Sequence, residues 1–204
     1  MIKSYNAKQW EIPLLLDGRK TVTRRLVKPQ HLKVLDSPYH KEHPEVPDDV
    51  LIKRLCEPPY QSGDILYVRE TWDSMVGISY GDLSADTVYF YKAEGDFRPA
   101  AQRGKWRPSI HMPKEAARIW LKVTDVRVGR LRDIDGIGIL AEGVNNGKSN
   151  PAMGIRWENM QRIAFQNLWN STIKKSDLDR YGWDANPYVF VIEFERCEKP
   201  ESEG

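Results

Sequence analysis

The sequence predicts an α+β fold or a small mixed barrel in a single domain of 204 residues. Strand patterns recur at irregular intervals, and helical patterns stand between only some of them, so the regular alternation of a doubly wound sheet is missing. Hydrophobic residues make up 40% of the chain, which is enough for a core. The 31 basic and 29 acidic residues leave a net charge of +2, which argues against wrapping duplex DNA through bulk electrostatics.

The first predicted element is a short helix over 10–16. Pro13 suits the first turn of this helix, and Gly18 suits a left-handed cap after its end. The next stretch, 19–25, alternates β-branched with basic residues, which is typical of an extended segment. Basic side chains therefore project from a constrained turn.

The later elements follow from hydrophobic periodicity. In the strand expected over 119–128, the hydrophobic alternation shifts phase, which predicts a β-bulge near Asp125. Asp133 is the expected cap of the helix that runs towards residue 142. Strands are expected over 65–72, 87–92, 119–128 and 188–195, and helices over 133–142 and 157–168.

Residues 28–62 contain six prolines among polar residues and are interpreted as an inserted surface loop, in which only 50–55 looks ordered.

The chain shows no apolar run of membrane-spanning length and no signal peptide at its start, so a cytoplasmic protein without membrane contact is expected. Its two cysteines have no metal-ligand spacing.

Two further patterns are given an ordinary interpretation. The stretch 136–141 matches GxGxxA in letters, but it does not directly follow a hydrophobic strand, so dinucleotide binding is not predicted. His40 and His43 have a spacing that suits a shared metal, but no third ligand lies nearby in the sequence.

The densest group of reactive residues is 18–25, which carries four cationic side chains and two threonines. Lys20 stands among three arginines and is a candidate base, because neighbouring positive charges favour a neutral amine. Thr23 is a candidate nucleophile, but strand alternation places it on the face opposite Lys20, so the pair requires a bend. A solvated basic turn is the alternative interpretation.

Two carboxylates are candidate acids. Glu142 stands in the last turn of a predicted helix, where the helix dipole disfavours negative charge, and Glu70 lies within the strand expected over 65–72. Either of them also suits an ordinary salt bridge.

Several rings are candidates for contact with a planar ligand. Trp72, Trp106 and Trp183 lie beside polar or Gly/Pro-rich segments and suit base stacking. His111 suits either a packed position or a pocket.

The stretch 18–25 resembles the GxKTxTxR signature of ASCH domains, which are relatives of the PUA RNA-binding fold. Three later segments are similar to that family in the same order: 63–68, 141–143 and 189–194. The resemblance implies a small PUA-like β-barrel with surrounding helices, a cleft for a nucleoside or single-stranded RNA, and insertions at about 28–62 and 73–117.

One branch of this family hydrolyses N4-acetylcytidine. The resemblance implies that Lys20 accepts a proton, Thr23 is the nucleophile and Glu142 donates a proton, without any metal or organic cofactor. The same chemistry suggests that Arg25 steadies an oxyanion or a phosphate. The remaining candidate substrate-binding residues are Arg19, Thr21, Arg24, Glu70, Trp72, Trp106 and His111.

Two other functions stay open at this point. The first is a non-catalytic RNA-binding module that uses the same basic cleft and stacked aromatic rings. The second is a metal-independent ribonuclease, in which Lys20 and the arginines act on the phosphodiester.

Overall fold

The computed structural model of the chain describes residues 1–78, 85–144 and 155–201. It divides into two compact units, each built from separate stretches of the sequence. The first unit contains Met1–Gly18, Asp64–Lys122 and Arg196–Gly204. The second unit contains Arg19–Gly63 and Val123–Glu195.

The strands of the first unit pair in both directions. Strand β1 (Ile2–Asn6) runs parallel to β3 (Ile65–Arg69), with Ile2 opposite Ile65. Strand β3 runs antiparallel to the start of β6 (Trp120–Arg130), with Leu66 opposite Leu121. Strands β4 and β5 form a separate antiparallel pair. The bounds are Ile2–Asn6 for β1, Ile65–Arg69 for β3, Trp72–Ile78 for β4, Ala85–Tyr91 for β5 and Trp120–Arg130 for β6, with helix α1 at Glu11–Leu16.

The second unit packs helices against the strand pair β2 and β7. These strands are antiparallel, with Thr23 opposite Ile192 and Arg25 opposite Phe190. Its strands are β2 at Val22–Leu26 and β7 at Tyr188–Cys197. Its helices are α2 at Pro29–Leu32, α3 at Pro38–Glu42, α4 at Asp48–Leu55, α5 at Gly136–Ala141, α6 at Ile155–Thr172 and α7 at Leu178–Tyr181.

The main sheet has five strands in the order β1-β3-β6-β7-β2, and β4 and β5 make a two-stranded sheet. The α+β class is therefore confirmed. In the part of the chain that the structure describes, no pairing joins β1 to β2, so the sheet is open and the barrel stays a prediction. No helix in the described ranges is long and apolar enough to cross a bilayer.

The core of the second unit forms where α5 and α6 cover one face of β2 and β7. Residues from all four elements are buried together, as the hydrophobic pattern of each predicts. The cluster contains Val22, Leu131, Ile134, Ile139, Val144, Phe165, Trp169, Trp183, Val189 and Val191.

The interpretation of 28–62 as a loop with one ordered segment is wrong. Three helices, α2 to α4, and a 3-10 helix at Lys33–Asp36 lie within it. Pro29 and Pro38 occupy the first turns of α2 and α3, where proline is compatible with a helix, and Pro47 is the N-cap of α4. The prolines therefore begin helices here and do not interrupt them.

The helix before Glu142 also begins later than predicted. Asp135 is its N-cap, since the Asp135 carboxylate accepts a hydrogen bond from Gly138 N at 2.7 Å. Asp133 lies in a preceding 3-10 helix and accepts from Arg130 N. In β6, by contrast, two consecutive exposed residues at 124 and 125 produce the predicted phase shift in burial.

A buried arginine organises the segment that follows β5. Arg98 donates to Asp73 and to Asp96, with both ion pairs at 2.8 Å, and its guanidinium carbon lies 3.9 Å from the centroid of the Trp106 ring. The hydrogen bonds from Arg98 lower the pKa of Asp96 to about 2. Burial of Asp73 opposes ionisation, but the hydrogen bonds from Arg98 and Ser74 N hold its pKa below the usual value.

We expect the Gly182→Ala substitution to lower the free energy of unfolding by about 1–3 kcal/mol. A Cβ atom at Gly182 overlaps the Leu178 carbonyl oxygen, which is backbone in the first residue of α7 and moves only with that helix. Gly129→Ala is the matched control, because nothing lies within 4 Å of its Cβ position. Urea denaturation measures both variants, and equal stability of the two contradicts the close packing at Gly182.

We expect Arg98 to contribute stability that disappears in acid. Because the folded-state pKa values of Asp96 and Asp73 are lowered, the unfolded chain binds protons first, and this stability is lost as pH falls from about 4 towards 2. Arg98→Met removes the ion pairs with Asp96 and Asp73 and therefore their pH-dependent contribution to stability. The urea midpoint of this variant is expected to change less than that of the parent between pH 5 and pH 2. Arg54→Met, at an exposed position of α4, keeps the parental pH dependence. An unchanged acid response of Arg98→Met contradicts the assignment.

Candidate functional site

The ammonium group of Lys20 lies buried against the C-terminal end of α5. Lys20 Nζ donates to Glu142 Oε2 at 2.8 Å, to the Glu142 carbonyl oxygen at 3.0 Å and to the Val22 carbonyl oxygen at 3.0 Å. The side chain of Lys20 is 1% exposed and that of Glu142 is 7% exposed. The two residues are 122 positions apart in sequence, so the fold itself brings this pair together.

Arg24 binds the second oxygen of the same carboxylate. Its Nη1 atom lies 3.0 Å from Glu142 Oε1, and its side chain is 5% exposed. Arg24 Nη2 lies 3.2 Å from the position that a Cβ atom of Gly138 would occupy. The absence of a side chain at residue 138 therefore lets the guanidinium approach the backbone of α5.

Backbone bonds hold the two sides of the site in register. Thr21 N donates to the Ala141 carbonyl oxygen, and Phe194 N donates to the Thr21 carbonyl oxygen, both at 2.9 Å. Gly143, with φ of +84°, turns the chain directly after Glu142, in a region of backbone conformation that favours glycine. The start of β2 is thus fixed between the end of α5 and strand β7.

Two cations share one carboxylate in this cluster. Lys20 and Arg24 bring two positive charges to the single carboxylate of Glu142, so the three side chains carry a net charge of +1 away from water. Glu142 also follows the last residue of α5, where the helix dipole disfavours an anion. The two cations offset this effect, and Lys20 additionally caps a carbonyl at the helix end.

Thr23 and Arg25 point to the other face of β2. Val22 packs in the hydrophobic cluster of the second unit and Arg24 reaches α5, so strand alternation directs Thr23 and Arg25 away from both. Thr23 is buried opposite Ile192, and Arg25 is half-buried opposite Phe190. The structure therefore joins Lys20, Arg24 and Glu142 directly, while the Thr23 hydroxyl belongs to the opposite face.

The remaining residues of the basic stretch are at the surface. The side chains of Arg19 and Thr21 are exposed, and Thr21 takes part in the site through its backbone.

Glu70 lies in the first unit, where it forms a buried pair with Arg118. Arg118 Nε donates to Glu70 Oε1 at 2.8 Å and Arg118 Nη2 donates to Oε2 at 3.0 Å, and Glu70 is 1% exposed. Burial raises the pKa of Glu70, although the two hydrogen bonds from Arg118 oppose the rise. Arg118 also pairs with Glu94 and lies over the ring of Tyr91.

The predicted stacking residues of the first unit have different surroundings. Trp72 packs in a buried cluster with Met112 and Trp120, and Trp106 is half-buried against Arg98. His111 is exposed at the end of a 3-10 helix. Trp183, in the second unit, is part of the hydrophobic core and packs edge-on against Phe165.

Sequence reasoning missed two contributors to the site. The Val22 carbonyl accepts a hydrogen bond from Lys20, which no side-chain pattern shows, and Gly138 admits Arg24. Gly138 belongs to the GxGxxA stretch, so the glycine was visible in the sequence. Its physical role is to make room for the Arg24 guanidinium and not to bind a dinucleotide. Among the described residues, no group of three potential metal ligands comes together.

Comparison with known proteins adds little to this geometry. No family model matches the sequence, and no curated protein matches it. Among solved structures, an ASCH domain from Lactobacillus crispatus JV V101 is similar over 96% of this chain and 79% of that chain, with 10% sequence identity and a TM-score of 0.38. Values this low carry no argument about family or activity.

We expect the Lys20–Glu142 pair to show strong energetic coupling. Glu142→Gln removes the carboxylate that Lys20 and Arg24 share, so it lowers the free energy of unfolding by about 3–5 kcal/mol. Lys20→Met leaves Glu142 bonded to Arg24, so its effect is smaller. The double variant loses less than the sum, by at least about 1 kcal/mol. Chemical denaturation of the four proteins measures the cycle.

The exposed pair of Arg127 and Glu193 is the control for this cycle. Its atoms are 3.2 Å apart with side chains 50% and 39% exposed, so solvent screens the interaction. The corresponding cycle with Arg127→Met and Glu193→Gln is expected to show coupling below about 1 kcal/mol. Additive effects at Lys20 and Glu142 contradict a directly bonded buried pair.

Proposed function

We propose that this chain hydrolyses the acyl amide of an N4-acylated cytidine or a related modified nucleoside, with Lys20 and Glu142 handling protons and Thr23 as nucleophile. The observation that supports the proposal best is the 2.8 Å contact between Lys20 Nζ and Glu142 Oε2 in a buried position. This contact places an amine that carries protons beside a carboxylate away from water, which is the arrangement that proton transfer between the two groups requires.

The proposed reaction proceeds through an acylated threonine. The Thr23 oxygen attacks the acyl carbon and loses its proton to Lys20, while the bond from that carbon to N4 breaks and Glu142 gives the departing N4 a proton. Water then attacks the Thr23 ester and gives a proton to Glu142, while Lys20 returns its proton to the Thr23 oxygen, so the carboxylic acid is released and all three residues are restored. The net reaction consumes one water and needs no metal or organic cofactor.

Arg24 has a positioning role in this proposal. It holds Glu142 Oε1 at 3.0 Å, so the other carboxylate oxygen faces Lys20. The net charge of +1 in the cluster also favours the oxyanion that develops when the acyl carbon becomes tetrahedral.

The proposed reaction requires two rearrangements. Lys20 is an ammonium group with three acceptors around it and Glu142 is a carboxylate, so substrate binding has to shift one proton from Lys20 Nζ to Glu142 Oε2 across their hydrogen bond. The shift leaves a neutral amine that accepts the Thr23 proton and a neutral acid that protonates N4. Thr23 lies on the other face of β2, so its hydroxyl reaches Lys20 through a local bend of the strand start or a bridging water.

The same two features favour a second candidate function, a non-catalytic module that binds a nucleoside or single-stranded RNA. In that function the Lys20–Glu142–Arg24 cluster is structural and fixes β2 against α5. Arg19 and Arg25 then contact phosphate groups, and binding falls steeply with salt.

We expect the purified protein to release cytidine from N4-acetylcytidine, and Thr23→Val to reduce kcat/KM by at least about a thousandfold, because valine keeps the strand shape but has no hydroxyl. Chromatography of the reaction measures cytidine. Thr124→Val is the matched control, since Thr124 is an exposed residue of β6. Full activity of Thr23→Val contradicts the nucleophile assignment.

A folded parent protein that releases no cytidine contradicts the hydrolase. If that protein binds single-stranded RNA in a salt-sensitive manner, the result supports the binding module.

A further inference from the structure

A cavity of about 410 Å³ lies within the second unit, on the side of the sheet where Arg25 projects. One wall comes from the helical segment 28–60 and the other from strands β2 and β7. The residues that determine its chemistry are Arg25, Lys28, His31, Glu57, Tyr60 and Phe190.

The inner part of the cavity is aromatic. Phe190 is buried on β7 directly opposite Arg25 in the strand register, and Tyr60 is buried at the end of the helical segment. Burial raises the pKa of Tyr60, while the charge of Arg25 lowers it. Tyr60 and Arg25 both line the cavity, so a planar apolar surface and a cation face the same space from its two walls.

The outer part of the cavity is mainly cationic. Lys28 and Glu57 are exposed and Arg25 is half-buried, and all three line the cavity. Two positive charges face one negative charge, so the outer part favours an anion. A cavity lined by two aromatic rings and two cations matches a ligand with a planar ring and an anionic group.

His31 supplies a second, independent indication of a polar ligand. The Nδ1 atom of its ring is buried and makes no hydrogen bond to any residue in the described ranges. Buried polar atoms in folded proteins normally have a partner, since leaving one without a hydrogen bond costs about 1–3 kcal/mol. This atom belongs to a residue that lines the cavity, so a polar atom of a bound molecule is a suitable partner once the imidazole ring turns towards the cavity.

We propose that this cavity binds a nucleoside monophosphate, with the base against Tyr60 and Phe190 and the phosphate at Arg25 and Lys28. The volume falls in the range of pockets for small molecules, about 300–1,000 Å³. The base supplies the planar surface and the polar edge that reaches His31, and the phosphate supplies the charge.

This binding site does not depend on the hydrolase reaction. Arg24 projects from the opposite face of β2 towards Glu142 and Lys20, and a nucleoside monophosphate has no acyl group to remove. Binding without hydrolysis and hydrolysis without binding are therefore separate experimental results.

Isothermal titration calorimetry of the full chain tests the proposal with four probes: cytidine 5′-monophosphate, adenosine 5′-monophosphate, cytidine and inorganic phosphate. We expect at least one monophosphate to bind, and cytidine and inorganic phosphate each to bind at least about tenfold more weakly. Raising the salt concentration weakens monophosphate binding. Failure of both monophosphates to bind overturns the proposal, as does binding of cytidine or inorganic phosphate with equal affinity.

Variants locate the site. Lys28→Gln and Arg25→Gln are expected to weaken monophosphate binding about tenfold or more, and Tyr60→Leu to weaken it by removing the ring. Lys41→Gln and Tyr39→Leu are the matched controls, because both residues are exposed on α3 in the same segment and do not line the cavity. Lys28 is exposed, so its replacement leaves folding intact, and unchanged binding by Lys28→Gln and Arg25→Gln overturns the assignment.

Discussion

The buried carboxylate of Glu142 is the group on which the arrangement of the second unit depends. Removing this anion from water is unfavourable, and its position at the end of α5 adds to the cost because the helix dipole opposes negative charge there. Lys20 and Arg24 each bind one of its oxygens, which compensates both effects only while β2 stays against α5. In that position Thr21 N lies within hydrogen-bond distance of the Ala141 carbonyl oxygen. A local electrostatic requirement thus fixes the contact between two elements that are far apart in sequence.

Strand alternation divides the basic stretch between two environments. Val22 and Arg24 face the helices, where Arg24 completes the ion cluster, and Arg25 faces the cavity formed with the helical segment 28–60. Four cations within eight residues therefore do not act as one basic patch. Two of them are neutralised in part by Glu142, and Arg25 remains near an aromatic surface. Composition alone does not distinguish these roles, but the alternation of a five-residue strand does.

The sequence predicted the elements whose signals are local. The helix before Gly18, the extended stretch at β2 and the burial shift in β6 each follow from side chains within a few residues of one another. It also identified Lys20 and Glu142, although their bond is a contact of the folded chain. The helices within 28–62 were missed because proline was interpreted as a breaker, whereas Pro29 and Pro38 occupy first turns. The roles of Gly138 and the Val22 carbonyl were not predictable, since both depend on where a side chain from another element arrives.

The position of Val22 helps to separate stability from chemistry at this site. Val22 stands between Lys20 and Arg24 and packs in the hydrophobic cluster with Ile139 and Val191, so apolar side chains are well accommodated at this face of β2. Replacing a buried ion cluster by apolar residues of similar volume is often neutral or stabilising. Stability alone therefore gives no reason for three charged side chains beside such a core. Either the cluster selects this register of β2 against α5, which the coupling between Lys20 and Glu142 measures, or it supplies proton transfer, which cytidine release measures. The two explanations differ in what they require of Thr23. A cluster that only selects the register of β2 does not need a hydroxyl on the opposite face of the strand, whereas the proposed hydrolysis does.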